Sequence, residues 1–198
     1  LATSNADEHA LRFAAELALA LASFLPLWNL QDSCRSGVAL SDAEVAAAAA
    51  DARAWAISLA AAAPAAATNL LAAWRREATA RLKAEGVADP VAAAQELVGE
   101  TVGDYLDHLG AQIARSSLRR IAEMRRAGQT RSEISNDYAA FLPYTLYLGA
   151  SFVTCNPTLV DIAWAIDPDL WTPIVDAIIA AHPQADAATL ARLVTLEI

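Results

Sequence analysis

The sequence predicts a mainly α chain: a helical region over residues 1–128, then a strand–helix–strand–helix segment over 129–198. Three observations carry this. Alanine supplies 50 of the 198 residues, and alanine has the highest intrinsic helix propensity. Through residues 1–128 apolar positions recur at helical spacing between recognisable caps, with no alternating run. At 151–157, by contrast, a β-prone run, Ser151-Phe152-Val153-Thr154-Cys155, stops abruptly at Asn156-Pro157.

The helical elements follow in order. Leu11, Phe13, Ala14, Leu17, Leu21 and Phe24 predict a helix over 7–25 with a broad apolar face. Residues 26–40 hold Pro26, Asn29, Asp32, Ser33 and Gly37 and read as a loop. Ser41 and Glu44 form a capping box opening a second helix, which Pro64 breaks. Leu70, Leu71, Trp74, Ala78 and Leu82 mark a third, over 65–85, with Gly86 just past its end. Asp89-Pro90, an N-cap followed by proline at the first helical position, opens a fourth; its pattern continues to Leu109 across Gly99 and Gly103. A further helix covers 111–127 and ends at Gly128.

From about residue 130 the texture changes. Glu133 to Asp137 reads as a short strand, and 138–148 as a helix that must accommodate Pro143. The run 151–155 is the second strand. Asn-Pro then ends it, because proline fixes φ and pushes the residue before it out of the α region. A helix to about Ile166 follows at once; Asp167-Pro168 opens another over 168–181; Asp186 caps the last. Strand, helix, strand, helix is a βαβ unit. Two parallel strands cannot bury their own faces, so a larger sheet or barrel is needed to complete it.

Composition narrows the function. The net charge is −9, with 13 arginines and one lysine, Lys83. An acidic chain does not favour nucleic acid held by phosphate neutralisation. The run Arg115, Arg119, Arg120, Arg125 and Arg126 spreads around a helix and reads as a solvated face. Cys34 and Cys155 lie far apart and His9, His108 and His182 are isolated, so no metal-ligand spacing exists; two free thiols fit a cytoplasmic protein. Arg12, Glu16, Pro26 and Asn29 interrupt the apolar stretch 11–30, which reads as a soluble helix rather than a membrane or signal segment. The five tryptophans (28, 55, 74, 164 and 171) are expected to be packing centres, because other large side chains are scarce. Residues 28–34 form a polar and aromatic loop that reads as packed.

Residues 153–160, Val-Thr-Cys-Asn-Pro-Thr-Leu-Val, resemble the Thr-Thr-Asn-Pro-Ser signature of the transaldolase family of class I aldolases, with Cys155 where the family has Thr or Ser. Asp167-Pro168-Asp169-Leu170-Trp171 and the helix after it resemble one branch of that family. The similarity covers residues 132–198, about one third of the chain. It implies the first βαβ portion of a (β/α)8 barrel, whose chemistry sits at the carboxyl ends of the strands. It implies a sugar-phosphate substrate, no metal and no cofactor. By the same resemblance Asp137, nineteen residues before Asn156, matches the aspartate that transfers protons at the end of the first strand, and Asn156 the amide that contacts substrate.

The chemistry is physically sensible. A carboxyl group in a barrel mouth can have a raised pKa and shuttle a proton, and a neutral amide can hydrogen-bond a sugar oxygen without adding charge. Asp137 equally suits a helix N-cap, and Asn156 equally suits a turn. Thr154 shares Asn156's side of the strand by alternation and is a weaker substrate contact, while Cys155 points the other way. The family's Schiff-base lysine has no match: Lys83 precedes the motif and sits at a charged helix end. The chain opens on Leu1 and runs to Ile198 inside an amphipathic pattern, as expected of a piece of a longer protein with an incomplete barrel; alone it is expected to be inactive. The alternative is an all-α binding or scaffolding protein in which 151–157 is an extended connector.

Overall fold

Caps decide where most of the helices begin. The structure, a computed structural model, describes residues 2–23, 27, 41–136, 141–154, 156–166 and 168–197. Among these it is mainly helical, as the alanine content implies. The order is α1 (Ala2–Ala22), α2 (Asp42–Ala62), α3 (Pro64–Ala84), α4 (Pro90–Val98), α5 (Val102–Arg115), α6 (Ser117–Arg126), β1 (Ser135–Asn136), α7 (Leu142–Tyr147), β2 (Phe152–Val153), α8 (Pro157–Ile166), α9 (Pro168–Ala181) and α10 (Ala187–Glu197).

The Ser41 capping box forms in full. The Glu44 amide donates to Ser41 Oγ at 3.3 Å, and the Ser41 amide donates to Glu44 at 2.7 Å. The Ala92 amide donates to the Asp89 side chain at 3.0 Å, and the Thr189 amide to that of Asp186 at 2.8 Å. The apolar run 90–109 is two helices rather than one. Gly99 adopts φ +67°, a conformation L side chains rarely take, and a Cβ there would lie 2.6 Å from Asp104 Cβ. Thr101 and Asp104 then build a second capping box. The expected helix over 111–127 is likewise divided, because Ser116 turns extended and its side chain caps α6. Pro143 is the second residue of α7, where a missing N–H costs nothing.

The two expected strands shrink to two residues each. β1 and β2 pair in parallel, Ser135 opposite Phe152 and Asn136 opposite Val153. Glu133 and Ile134 on one side, and Ser151 and Thr154 on the other, lie outside the strands. Alternation and β-propensity locate a strand, but its length depends on the neighbour it finds.

The chain divides into two compact units. The helical unit comprises residues 1–134 and 143–151; the smaller comprises 135–142 and 152–198. This division differs from the expected boundary at 128 in two respects, since 129–134 and 143–151 both belong with the helices. In the helical unit Leu11, Leu70, Trp74, Val98, Leu106 and Ile113 form one continuous core, which Tyr147 and Leu148 of the 143–151 segment join. Trp74 is 2% exposed and stacks on Tyr105 at 4.1 Å. Trp55 departs from its expected role as a packing centre. It stays exposed and meets Phe13 edge-on at 6.4 Å, because α2 is buried through Val45, Ala52 and Ala56 on another side. By length and composition α2 could also cross a membrane, although little of it is buried.

In the smaller unit α8 packs on α9 and α9 on α10. Val160, Ala163 and Val175 are buried, and the Trp164 indole N–H donates to Thr172 at 3.0 Å. The loop at 28–34, with Trp28 and Cys34, lies outside the described residues.

Candidate functional site

The Asn-Pro junction builds its own turn. Asn156 Oδ1 accepts from the amides of Thr158 (3.0 Å) and Leu159 (3.2 Å), and the Asn156 carbonyl accepts from Val160 at 3.2 Å. Asn156 is thus the N-cap of α8, satisfying amides that would otherwise lack partners, while Pro157 begins the helix with its φ already suitable. The residue is exposed, three positions beyond the end of β2.

Thr154 is also exposed. Its amide donates to the Asn136 carbonyl at 2.9 Å, carrying the parallel pair one step past the strands. Asn136 itself is buried. Asp137, the expected proton-transfer residue, lies outside the described residues, as do Cys155 and Asp167. Of the three expected site positions, Asn156 and Thr154 therefore have a described place just past the carboxyl end of β2. Lys83 stands exposed near the end of α3. The His108 ring contacts the Leu97 carbonyl at 3.2 Å, and among the described residues no three His, Cys, Asp or Glu side chains converge as metal ligands.

The helical unit holds a set of charged and phenolic side chains that the sequence did not announce. Arg12 of α1 donates to Glu77 of α3 at 2.8 Å and also reaches Glu16, one turn on, at 3.5 Å. Burial raises the Glu16 carboxyl above its ordinary value, against the pull of Arg12. Burial likewise pushes the Tyr105 and Tyr147 phenols up, with Glu77 adding to Tyr105 and Glu16 to Tyr147. The Arg81 guanidinium, itself buried, lies 3.9 Å over the Tyr144 ring and donates to Glu85 at 2.8 Å and Gln112 at 3.2 Å. Every arginine here has an acidic or aromatic partner, so the group fastens helices together.

The arginine run on α6 departs from a uniformly solvated face. The Arg119 side chain is mostly, not fully, withdrawn from solvent; it donates to the Ser23 carbonyl and to Glu123. Arg125 pairs with Glu133, and Arg126 with Asp42. A shallow apolar groove of about 280 Å³ runs along Ala18, Ala22, Ala50, Leu106 and Gly110, with the bidentate Arg53–Asp107 pair on its rim. It offers few polar groups to orient a ligand.

Sequence spacing could find Asn156, because a cap is local. It could not find Arg12 with Glu77 or Arg53 with Asp107, whose partners are 65 and 54 residues apart. No family model matches the chain, and no curated protein or solved structure is significantly similar to it.

Proposed function

We propose that the chain carries the amino-terminal part of a transaldolase-like enzyme, one that moves a dihydroxyacetone-type three-carbon unit between sugar phosphates in the cytoplasm. The observation that carries this is the parallel pairing of β1 with β2, followed directly by an Asn-Pro turn into a helix. Parallel pairs need a crossover, and they place residues just past their carboxyl ends on one rim. In this reading Asp137, next in sequence after β1, moves the proton, and Asn156 and Thr154 hold substrate oxygens. These two strands would be the first of a (β/α)8 barrel.

The covalent step needs a neutral lysine amine to attack the ketone of the substrate. Exposed Lys83 is the only lysine in the sequence and has no desolvating pocket, so the reading requires a strand-borne lysine outside these 198 residues. The test uses the protein of the whole reading frame. With fructose 6-phosphate and borohydride, a three-carbon adduct on a lysine is the expected result; absence of any adduct sinks the reading. The 198-residue chain treated identically is expected to give none.

One observation favours the second reading, an all-α binding or scaffolding protein. Capping α8 is by itself a complete structural reason for Asn156. If the whole protein forms no adduct, this reading takes over.

A further inference from the structure

Helix α2 buries one side and leaves the opposite side bare. With about 3.6 residues per turn, the buried Ala52 and Ala56 point away from Ala54, Ser58 and Ala61, which are exposed. Trp55 and Ile57 stand on the two margins of that outer face, 44% and 37% exposed. Phe13 of α1, 58% exposed, meets Trp55 edge-on and widens the face on that margin. From Ala54 to Trp74 no residue is charged. The charges of α2 come earlier: Asp42, Glu44 and Asp51, with Arg53 held by Asp107.

Phe13 and Trp55, each about half exposed, together offer about 200 Å² of ring surface to solvent. Ile57 and the alanines bring the face into the range at which exposed apolar patches mark interaction sites. Its chemistry selects the occupant. Alanine is depleted in protein–protein interfaces, which also use hydrogen bonds between polar groups. Here the middle of the face is alanine and its margins are large and apolar. A bilayer surface needs neither interlocking side chains nor hydrogen-bonding partners. It takes up apolar side chains and holds tryptophan at the depth of the headgroups.

We infer that the outer face of α2 from Ala54 to Ala62, with Phe13 beside it, docks on a membrane surface of zwitterionic lipid. Anionic lipid is disfavoured by the net charge of −9 and by exposed Asp51, one turn before Trp55. The helix lies on the bilayer rather than crossing it. Its other side, through Val45, Ala52 and Ala56, is packed in the helical unit, and Arg53 is paired there. The inference is independent of sugar-phosphate chemistry.

The test is flotation of the intact 198-residue chain with vesicles. One set is phosphatidylcholine; the other is equal parts phosphatidylcholine and phosphatidylserine. Binding is expected to the first and weaker binding to the second, the gap closing as salt is added. Ala61→Glu puts a charge in the middle of the face and should weaken binding at least about tenfold. Phe13→Ser combined with Trp55→Ser should do the same, whereas Leu196→Ser in the smaller unit should change nothing. Ala61 is exposed, so Ala61→Glu keeps the fold and decides alone should the double variant unfold. Absence of flotation with phosphatidylcholine overturns the inference, as does flotation that survives Ala61→Glu or that falls with Leu196→Ser. Tighter binding to the phosphatidylserine vesicles overturns the choice of lipid. A dimer in sizing chromatography that Ala61→Glu dissociates, without flotation, assigns the face to a second copy instead.

Discussion

In the helical unit Leu11, Leu70 and Trp74 are almost wholly removed from solvent; in the smaller unit Leu170 and Ile179 are about half exposed, and Leu196 is 76% exposed. The two stretches of sequence look alike. Leu70, Trp74 and Ala78 have the same helical spacing as Leu170, Ile174 and Ile178. Periodicity identifies the apolar side of a helix and says nothing about whether another element lies against it. What distinguishes the units is partners: α1, α2, α3 and α5 converge on one core, whereas α8, α9 and α10 pack in series.

The largest expected effect tests this contrast directly. Trp74→Ala removes a stacked, fully buried ring and should cost about 3–5 kcal/mol in urea unfolding. Leu196→Ser, at an equally apolar position of the pattern, should stay within about 0.5 kcal/mol. Similar losses from the two would mean that Leu196 is covered in solution and that the contrast is wrong.

A smaller effect separates capping from binding at Asn156. Asn156→Ala should cost about 1 kcal/mol through loss of the cap on α8, read as a lowered unfolding midpoint. Asn156→Asp keeps an acceptor for the amides of Thr158 and Leu159 and adds charge favourable to a helix start, so stability should be retained. If Asn156 also holds substrate, the Asp variant of the whole enzyme loses transfer activity while its midpoint stays put. Full activity in that variant would leave capping as its one role.

The smallest effect is electrostatic. Burial raises the Glu16 carboxyl, so the folded state binds this proton more tightly than the unfolded chain does. Its contribution to stability is complete below the ordinary carboxylate value and is lost as pH rises through the raised one. The capping carboxylates Glu44, Asp104 and Asp186 are held low by hydrogen bonds and act in the opposite direction, losing their contribution as pH falls. Comparing the native chain with Glu16→Gln isolates Glu16. The native chain should gain stability relative to the variant as pH falls from about 7 to about 4. The gain should be modest, because the side chain is nearly half exposed and water screens it. Paired urea titrations with a gap constant in pH would contradict the assignment.

How much could be read in advance follows from distance along the chain. The boxes at Ser41 and the caps at Asp89, Asp186 and Asn156 involve residues within three positions of each other, and all form as their sequences imply. Thr101-x-x-Asp104 was equally local; the continuous apolar pattern across Gly99 masked it. The strands were located correctly but overextended, because pairing with a single neighbour set their length. Trp55 stays outside because Val45, Ala52 and Ala56 are the residues α2 buries, a choice that composition alone does not reveal. Of the expected site, the Asn156 turn was legible. Asp137, the other half of that site, lies outside the described residues.

The seam between α1 and α2 has a thermal consequence. Ala14, Ala15 and Ala18 on one helix and Ala52 and Ala56 on the other are buried, and among the described elements these two helices share the most extensive packing. The heat capacity of unfolding grows with the apolar area released. A methyl-lined seam is rich in close contacts but releases little area per residue. Compared with one built of leucine, it adds little curvature to the dependence of stability on temperature, so its hold on α1 weakens less on cooling.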